Sequence, residues 1–126
     1  MKSYAMGSLC MPRKEIVILQ KMVKYCDNAV KYSRDETYES FVANELYLTF
    51  SVFSLSQLGE LASRVDQTVS DQFPQIPWQA MRGLRNRIVH DYDGVRHTIL
   101  WDVLTRDIDV LREQLLDAIT TLDKNK

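Results

Sequence analysis

The stretch RNRIVHDY, residues 85–92, gathers side chains that could hold phosphate and move protons. Arg85 offers a permanently charged planar fork that matches phosphate oxygens. Histidine, the residue type at His90, is a side chain that ordinarily gives or takes a proton near neutrality. Together the two groups can in principle cleave RNA without a metal. One assists attack of a 2'-hydroxyl on the adjacent phosphorus, and the guanidinium stabilises the charge developing on the phosphoryl oxygens, so a cyclic phosphate is left. Asn86 stands four residues before His90, a spacing that lets its amide orient the imidazole on a helix. Arg85 and His90 are five apart, and so about 140° apart around a regular helix. A compact site therefore calls for a helix ending near His90 or for a second copy of the chain, and twofold pairing is the commonest oligomeric arrangement.

By residue type alone the same stretch is more often a solvated helix end. A cationic last turn complements the helix dipole, and His90 would then simply cap it. His97 reads as a surface or capping residue, and Arg82, Arg87 and Arg96 as salt-bridge or solvent residues that raise the local positive potential. Tyr92 alone would be a packed ring with its hydroxyl exposed. Other chemistries find less support. With only two histidines, a multi-histidine metal site within one chain is implausible, and Asp91 and Asp93 sit in an expected loop without helical carboxylate partners. There is no GxSxG elbow, and Cys10 and Cys26 form no CxxC. No metal and no cofactor is expected.

These groups must be positioned by a single domain, because 126 residues supply one core and not two. A composition of 45% hydrophobic and 26% charged residues is that of an ordinary globular protein. The net charge of -1 means that any contact with nucleic acid must be local. Cysteine usage fits a reducing cytoplasm. The richest apolar run, Leu46 to Leu61, is broken by Thr49, Ser51, Ser54, Ser56 and Gln57, well short of the roughly 20 apolar residues of a membrane span, so no membrane partner is expected. Residues 1–11 read as a poorly structured segment in which Met11 is an alternative start to Met1. Residues 12–123 read as the helical domain, and 124–126 as a tail.

Four amphipathic patterns follow one another, with no strand-like alternation of useful length. The first opens near Pro12 and carries Ile16, Leu19, Met22, Val23, Cys26 and Val30. Turn and cap chemistry follows at Ser33, Asp35 and Thr37. One long second helix is expected to turn Phe41 or Val42, Leu46, Phe50, Phe53, Leu58, Leu61 and Val65 inward. FPQIPW breaks it, since proline removes an amide donor and restricts its predecessor. Pro77 then fits the first turn of a third helix that buries Trp78, Met81, Leu84 and Ile88, with Gly94 suited to a left-handed exit. The last helix carries Ile99 or Leu100, Val103, Leu104, Ile108, Leu111, Leu115 and Ile119. Short connections imply an all-α, antiparallel up-and-down four-helix bundle. Gly59 and Glu60, within VFSLSQLGELA, read equally as close helix packing or as functional residues, and neither is taken as a site residue.

RNRIVHDY also resembles the RxxxxHxY motif of HepT-like proteins in the HEPN superfamily, with Arg85, His90 and Tyr92 at the named places and Asn86 as the polar residue after the arginine. SQLGELASRV, FPQIPWQAMRGLRNRIVHDYDGV and ILWDVLTRDIDVLREQL look like that family's second, third and fourth helices, so the resemblance runs from about Lys14 to Leu122 and is weakest in the first helix. It implies a HEPN-like homodimer acting as a metal-independent endoribonuclease toxin of a type II toxin-antitoxin system. Arg85 would hold phosphate, His90 would be the acid-base group and Asn86 would support them. The implied partner, besides RNA, is a minimal (MNT-type) nucleotidyltransferase antitoxin that transfers AMP to Tyr92, placing bulk and negative charge beside the cleft. Asp91 stands where many relatives carry a small residue. The alternative is a non-catalytic helical companion of a nucleotidyltransferase, for which the full Arg85, His90, Tyr92 set would be superfluous.

Overall fold

The computed structural model describes residues 3–90 and 95–125, with side chains from residue 13 onward in that range. Every regular element among the described residues is helical, so the chain is all-α. α1 (Ser3–Val30) buries Ile16, Leu19, Met22, Cys26 and Val30, the stripe its spacing predicts. Pro12 lies within this helical span and not at its opening. It removes one amide donor there, while the turns that follow keep theirs.

The expected long second helix is two helices, α2 (Tyr38–Ala43) and α3 (Glu45–Arg64). Thr37 opens α2 with a reciprocal cap: its Oγ1 accepts from the Ser40 amide, and the Ser40 Oγ accepts from the Thr37 amide. Asn44 separates the two helices in an extended conformation and caps α3 by accepting from the Tyr47 amide at 3.1 Å. This break resets the helical phase, which corrects the expected inward face. Leu46 is 79% exposed and Phe53 51% exposed, while Leu48, Val52, Leu55, Leu58, Leu61 and Ala62 form the buried stripe. Two serines share it. Ser54 satisfies its hydroxyl by donating to the Phe50 carbonyl at 2.9 Å, which is what makes a hydroxyl tolerable there.

After α4 (Gln67–Gln72), the proline-bounded stretch buries Phe73 and Ile76. The Trp78 indole N–H donates to the Phe73 carbonyl at 3.0 Å, tying this break to the start of α5 (Trp78–His90). Pro77 immediately precedes α5, and its carbonyl accepts the Met81 amide at 3.1 Å. The last expected helix runs as α6 (His97–Asp102), a π-helical turn (Val103–Asp107) and α7 (Ile108–Lys124). In that turn the Ile108 amide reaches back five residues to the Val103 carbonyl. Leu100, Leu104, Ile108, Leu111 and Leu115 stay in register on the buried side, and Ile99 faces outward. Gly94 lies outside the described residues.

Helix directions follow from which ends meet. The Asp66 amide, just past α3, donates to Glu15 in the middle of α1, and Tyr32, just past α1, stacks on Tyr47 near the start of α3. α1 and α3 are therefore antiparallel. On the other face of α3, Val52 approaches Ile88 while Gly59 meets Met81 and Arg85, so α5 also runs antiparallel to α3. The C-terminal end of α1 meets the N-terminal end of α7 through Asp27–Arg112 at 2.7 Å. Four long segments thus lie in the order α5, α3, α1, α7. Among the described residues no helix is long and apolar enough to cross a membrane.

Candidate active site

α5 commits one face to the core through Trp78, Met81 and Ile88, with Leu84 half-buried beside them. Arg85 sits on the flank of that face, where the helix meets α3. Its backbone is brought close by a missing side chain. A Cβ added to Gly59 would overlap the Arg85 Cβ and stand 2.5 Å from the Met81 carbonyl oxygen, so only glycine lets the two helices cross here. Gly83, one helical turn or less from both contacts, has nothing within 4 Å of its own hypothetical Cβ.

The crossing delivers the next residue of α3 to the guanidinium. Arg85 Nη2 lies 3.0 Å from Glu60 Oε1, with the two side chains 34% and 33% exposed. Arg85 Nη1 donates to Asn86 Oδ1 at 3.1 Å. Glu60 Oε2 in turn meets Arg64 Nη2 at 3.5 Å, a looser contact along α3. An ion pair this exposed contributes only about 0–1 kcal/mol to stability, so its consequence is geometric: it sets where the guanidinium points. Among the described residues each terminal nitrogen meets one oxygen, and the Nε–H meets none.

The structure brings Arg85 and Asn86 together, with the amide oxygen of Asn86 turned to the guanidinium. His90 is the last described residue of α5 and is exposed. Because α5 is helical through His90, the imidazole and the guanidinium project about 140° apart. Tyr92 and Asp91 lie outside the described residues. His97 is exposed at the start of α6, and Arg96 is exposed just before it. Glu60 and Gly59 are the residues that sequence reasoning passed over. A glycine in the middle of an otherwise good helix costs about 1 kcal/mol relative to alanine, and that cost was the available signal of a close approach.

Two neighbouring features fall outside this site. An apolar groove of about 560 Å³ runs between α5 and the α6–α7 segment, lined by Leu55, Met81, Leu84, Val103 and Ile108 among others, but not by Arg85 or His90. No group of three or more His, Cys, Asp or Glu among the described residues could hold a metal ion.

Comparison with known proteins bears on the same segment. Residues 22–118 match the family described as ribonuclease HepT-like, a span that includes Gly59, Glu60, Arg85, Asn86 and His90. The chain belongs to the HepT-like family. Ribonuclease activity is thereby supported at the level of the family. Among its relatives is a protein of Methanocaldococcus jannaschii whose name marks it as a candidate RNase, 24% identical over 115 residues that cover 90% of this chain and 99% of the relative. A probable ribonuclease HepT of Thermococcus cleftensis is 24% identical over 102 residues, 81% of this chain and 93% of the relative. A further candidate RNase, from Caldanaerobacter subterraneus subsp. tengcongensis, is 23% identical over 101 residues, 80% of this chain and 90% of its own. No solved structure gives a significant match.

Proposed function

We propose that this chain is a metal-independent endoribonuclease toxin whose site is completed between two copies of the chain. The observation that carries the reading is the Arg85 guanidinium, held by Glu60 and Asn86, on the helix that also carries His90. Family membership and the RNase names of the relatives support the substrate class. Arg85 takes the phosphoryl oxygens, and His90 acts as the acid-base group. The 2'-oxygen forms a bond to phosphorus as its proton leaves, the bond from phosphorus to the 5'-oxygen breaks, and the departing oxygen takes up a proton. The products carry a cyclic phosphate and a free 5'-hydroxyl. Because α5 aims Arg85 and His90 apart, the site takes its arginine from one copy and its histidine from the other.

The decisive experiment is cleavage of RNA by the purified chain in excess EDTA. Activity should persist and leave cyclic phosphate ends. His90→Ala and Arg85→Ala should each lower it by roughly a hundredfold or more while the helical circular dichroism is kept. Activity abolished by chelator and restored by magnesium counts against the reading, as does cleavage indifferent to both substitutions. Regulation rests on a partner nucleotidyltransferase that moves AMP from ATP to the Tyr92 hydroxyl, with release of pyrophosphate; the added negative charge then repels RNA. Incubation with that partner and ATP should add one adenylate mass to Tyr92, and a mass addition that survives Tyr92→Phe would refute the assignment.

A further inference from the structure

We infer that Glu60 is a positioning residue for the phosphate-binding guanidinium of Arg85, and that Gly59 exists at its position to let the two helices approach closely enough for that contact. The inference rests on the ribonuclease reading above and deepens it. Both ends of the Arg85 side chain are referred to α3. Its Cβ lies against the Gly59 backbone, and its Nη2 is held by Glu60 Oε1 at 3.0 Å. The second terminal nitrogen is held at 3.1 Å by Asn86, its neighbour on α5. Two fixed points on different nitrogens define the plane of the guanidinium. Arginine otherwise has four flexible bonds between Cα and its head group, and without these anchors the head would sweep a wide arc.

Among the described residues the Nε–H meets no acceptor, and each terminal nitrogen, which carries two N–H groups, meets one oxygen, so donors are left over. They are enough for a bidentate phosphate contact made without first breaking the Glu60 pair. Arg64, at 3.5 Å from the other carboxylate oxygen, restrains Glu60 from its outer side. A carboxylate beside a phosphate-binding arginine could instead compete with phosphate and act as a lock. The two roles differ in sign. A positioning residue raises the turnover of the bound complex, whereas a lock weakens substrate binding.

The test compares Glu60→Ala and Glu60→Gln with the wild-type full-length chain, on a defined single-stranded RNA in EDTA. Glu60→Ala should lower kcat by roughly tenfold to a hundredfold with little change in KM, as expected for a misplaced catalytic group. Glu60→Gln retains an oxygen acceptor and should recover most of that loss. Unchanged cleavage by Glu60→Ala, a lowered KM with undiminished kcat, or an equal loss in both variants would overturn the inference. A readout independent of activity is the Arg85 guanidinium in nitrogen-15 NMR spectra: its terminal nitrogens should give separate signals in the wild type and averaged ones in Glu60→Ala, with the backbone spectrum preserved. Averaged signals in the wild type refute the restraint even if RNA is cleaved. Separate signals in a wild-type chain that cleaves no RNA place the failure in the ribonuclease reading instead.

Discussion

Two glycines 24 positions apart make opposite demands on the same helix pair. At Gly59 an added methyl group would run into the Arg85 side chain and the Met81 carbonyl, and a backbone oxygen cannot rotate away. At Gly83 the same methyl group meets nothing. Gly59→Ala should therefore destabilise the fold by about 1–3 kcal/mol, because overpacking outweighs the gain of about 1 kcal/mol in helix propensity. Gly83→Ala should show that gain almost undiluted, about 0.5–1 kcal/mol of added stability. Urea unfolding of the two variants checks both. A stabilising Gly59→Ala would mean that α3 and α5 do not cross at this point, and the contact between Glu60 and Arg85 would lose its structural basis.

At the scale of elements, α1 holds Cys26 fully buried. Burial, reinforced by Asp27, pushes the thiol up from 9.0 to about 12, although Arg112 on α7 pulls the other way. In the unfolded chain the thiol ionises near 9.0, so between these values the unfolded state binds fewer protons than the folded one. Stability from this group is complete below pH 9.0 and falls as pH rises toward about 12. Cys26→Ala should lower stability at neutral pH through the small cavity it leaves, yet decline less steeply above about pH 9. Equal slopes for the two proteins in urea unfolding between about pH 8 and pH 11 would show that this thiol does not carry the alkaline sensitivity. The same helix shows how well spacing predicts a face when no cap interrupts it. Its stripe from Ile16 to Val30 is buried as expected, whereas α3, reset by Asn44, turns Leu46 and Phe53 to solvent.

For the whole molecule, the proposed site requires two groups projecting from opposite sides of one helix to act on one phosphate. A site shared by two copies makes a quantitative prediction for mixed dimers. When Arg85→Ala and His90→Ala chains are unfolded and refolded together, half of the dimers should be mixed, and each mixed dimer holds one intact arginine-histidine pair out of two. Activity should return to roughly a quarter of the wild-type value, although each variant alone is inactive. No recovery, with mixed dimers demonstrated by tagged chains, would mean that each copy uses its own pair.

The all-α class, the buried stripe of α1 and the break at FPQIPW were legible in the order of residues, and the same order is what proposes phosphate and proton chemistry at Arg85, Asn86 and His90. Each depends on local rules: helical periodicity, the missing amide of proline, and the chemistry of a side chain considered by itself. Three features were not legible. The break at Asn44 depends on one amide side chain capping a helix rather than facing solvent. The π-helical turn before Ile108 keeps the leucines of α6 and α7 on one buried face by a backbone adjustment that leaves no mark in composition. The pairing of Glu60 with Arg85 joins residues 25 positions apart. It exists only because a glycine lets α3 and α5 come within contact, and a distance between two helices is decided by how their whole surfaces pack, not by any one segment.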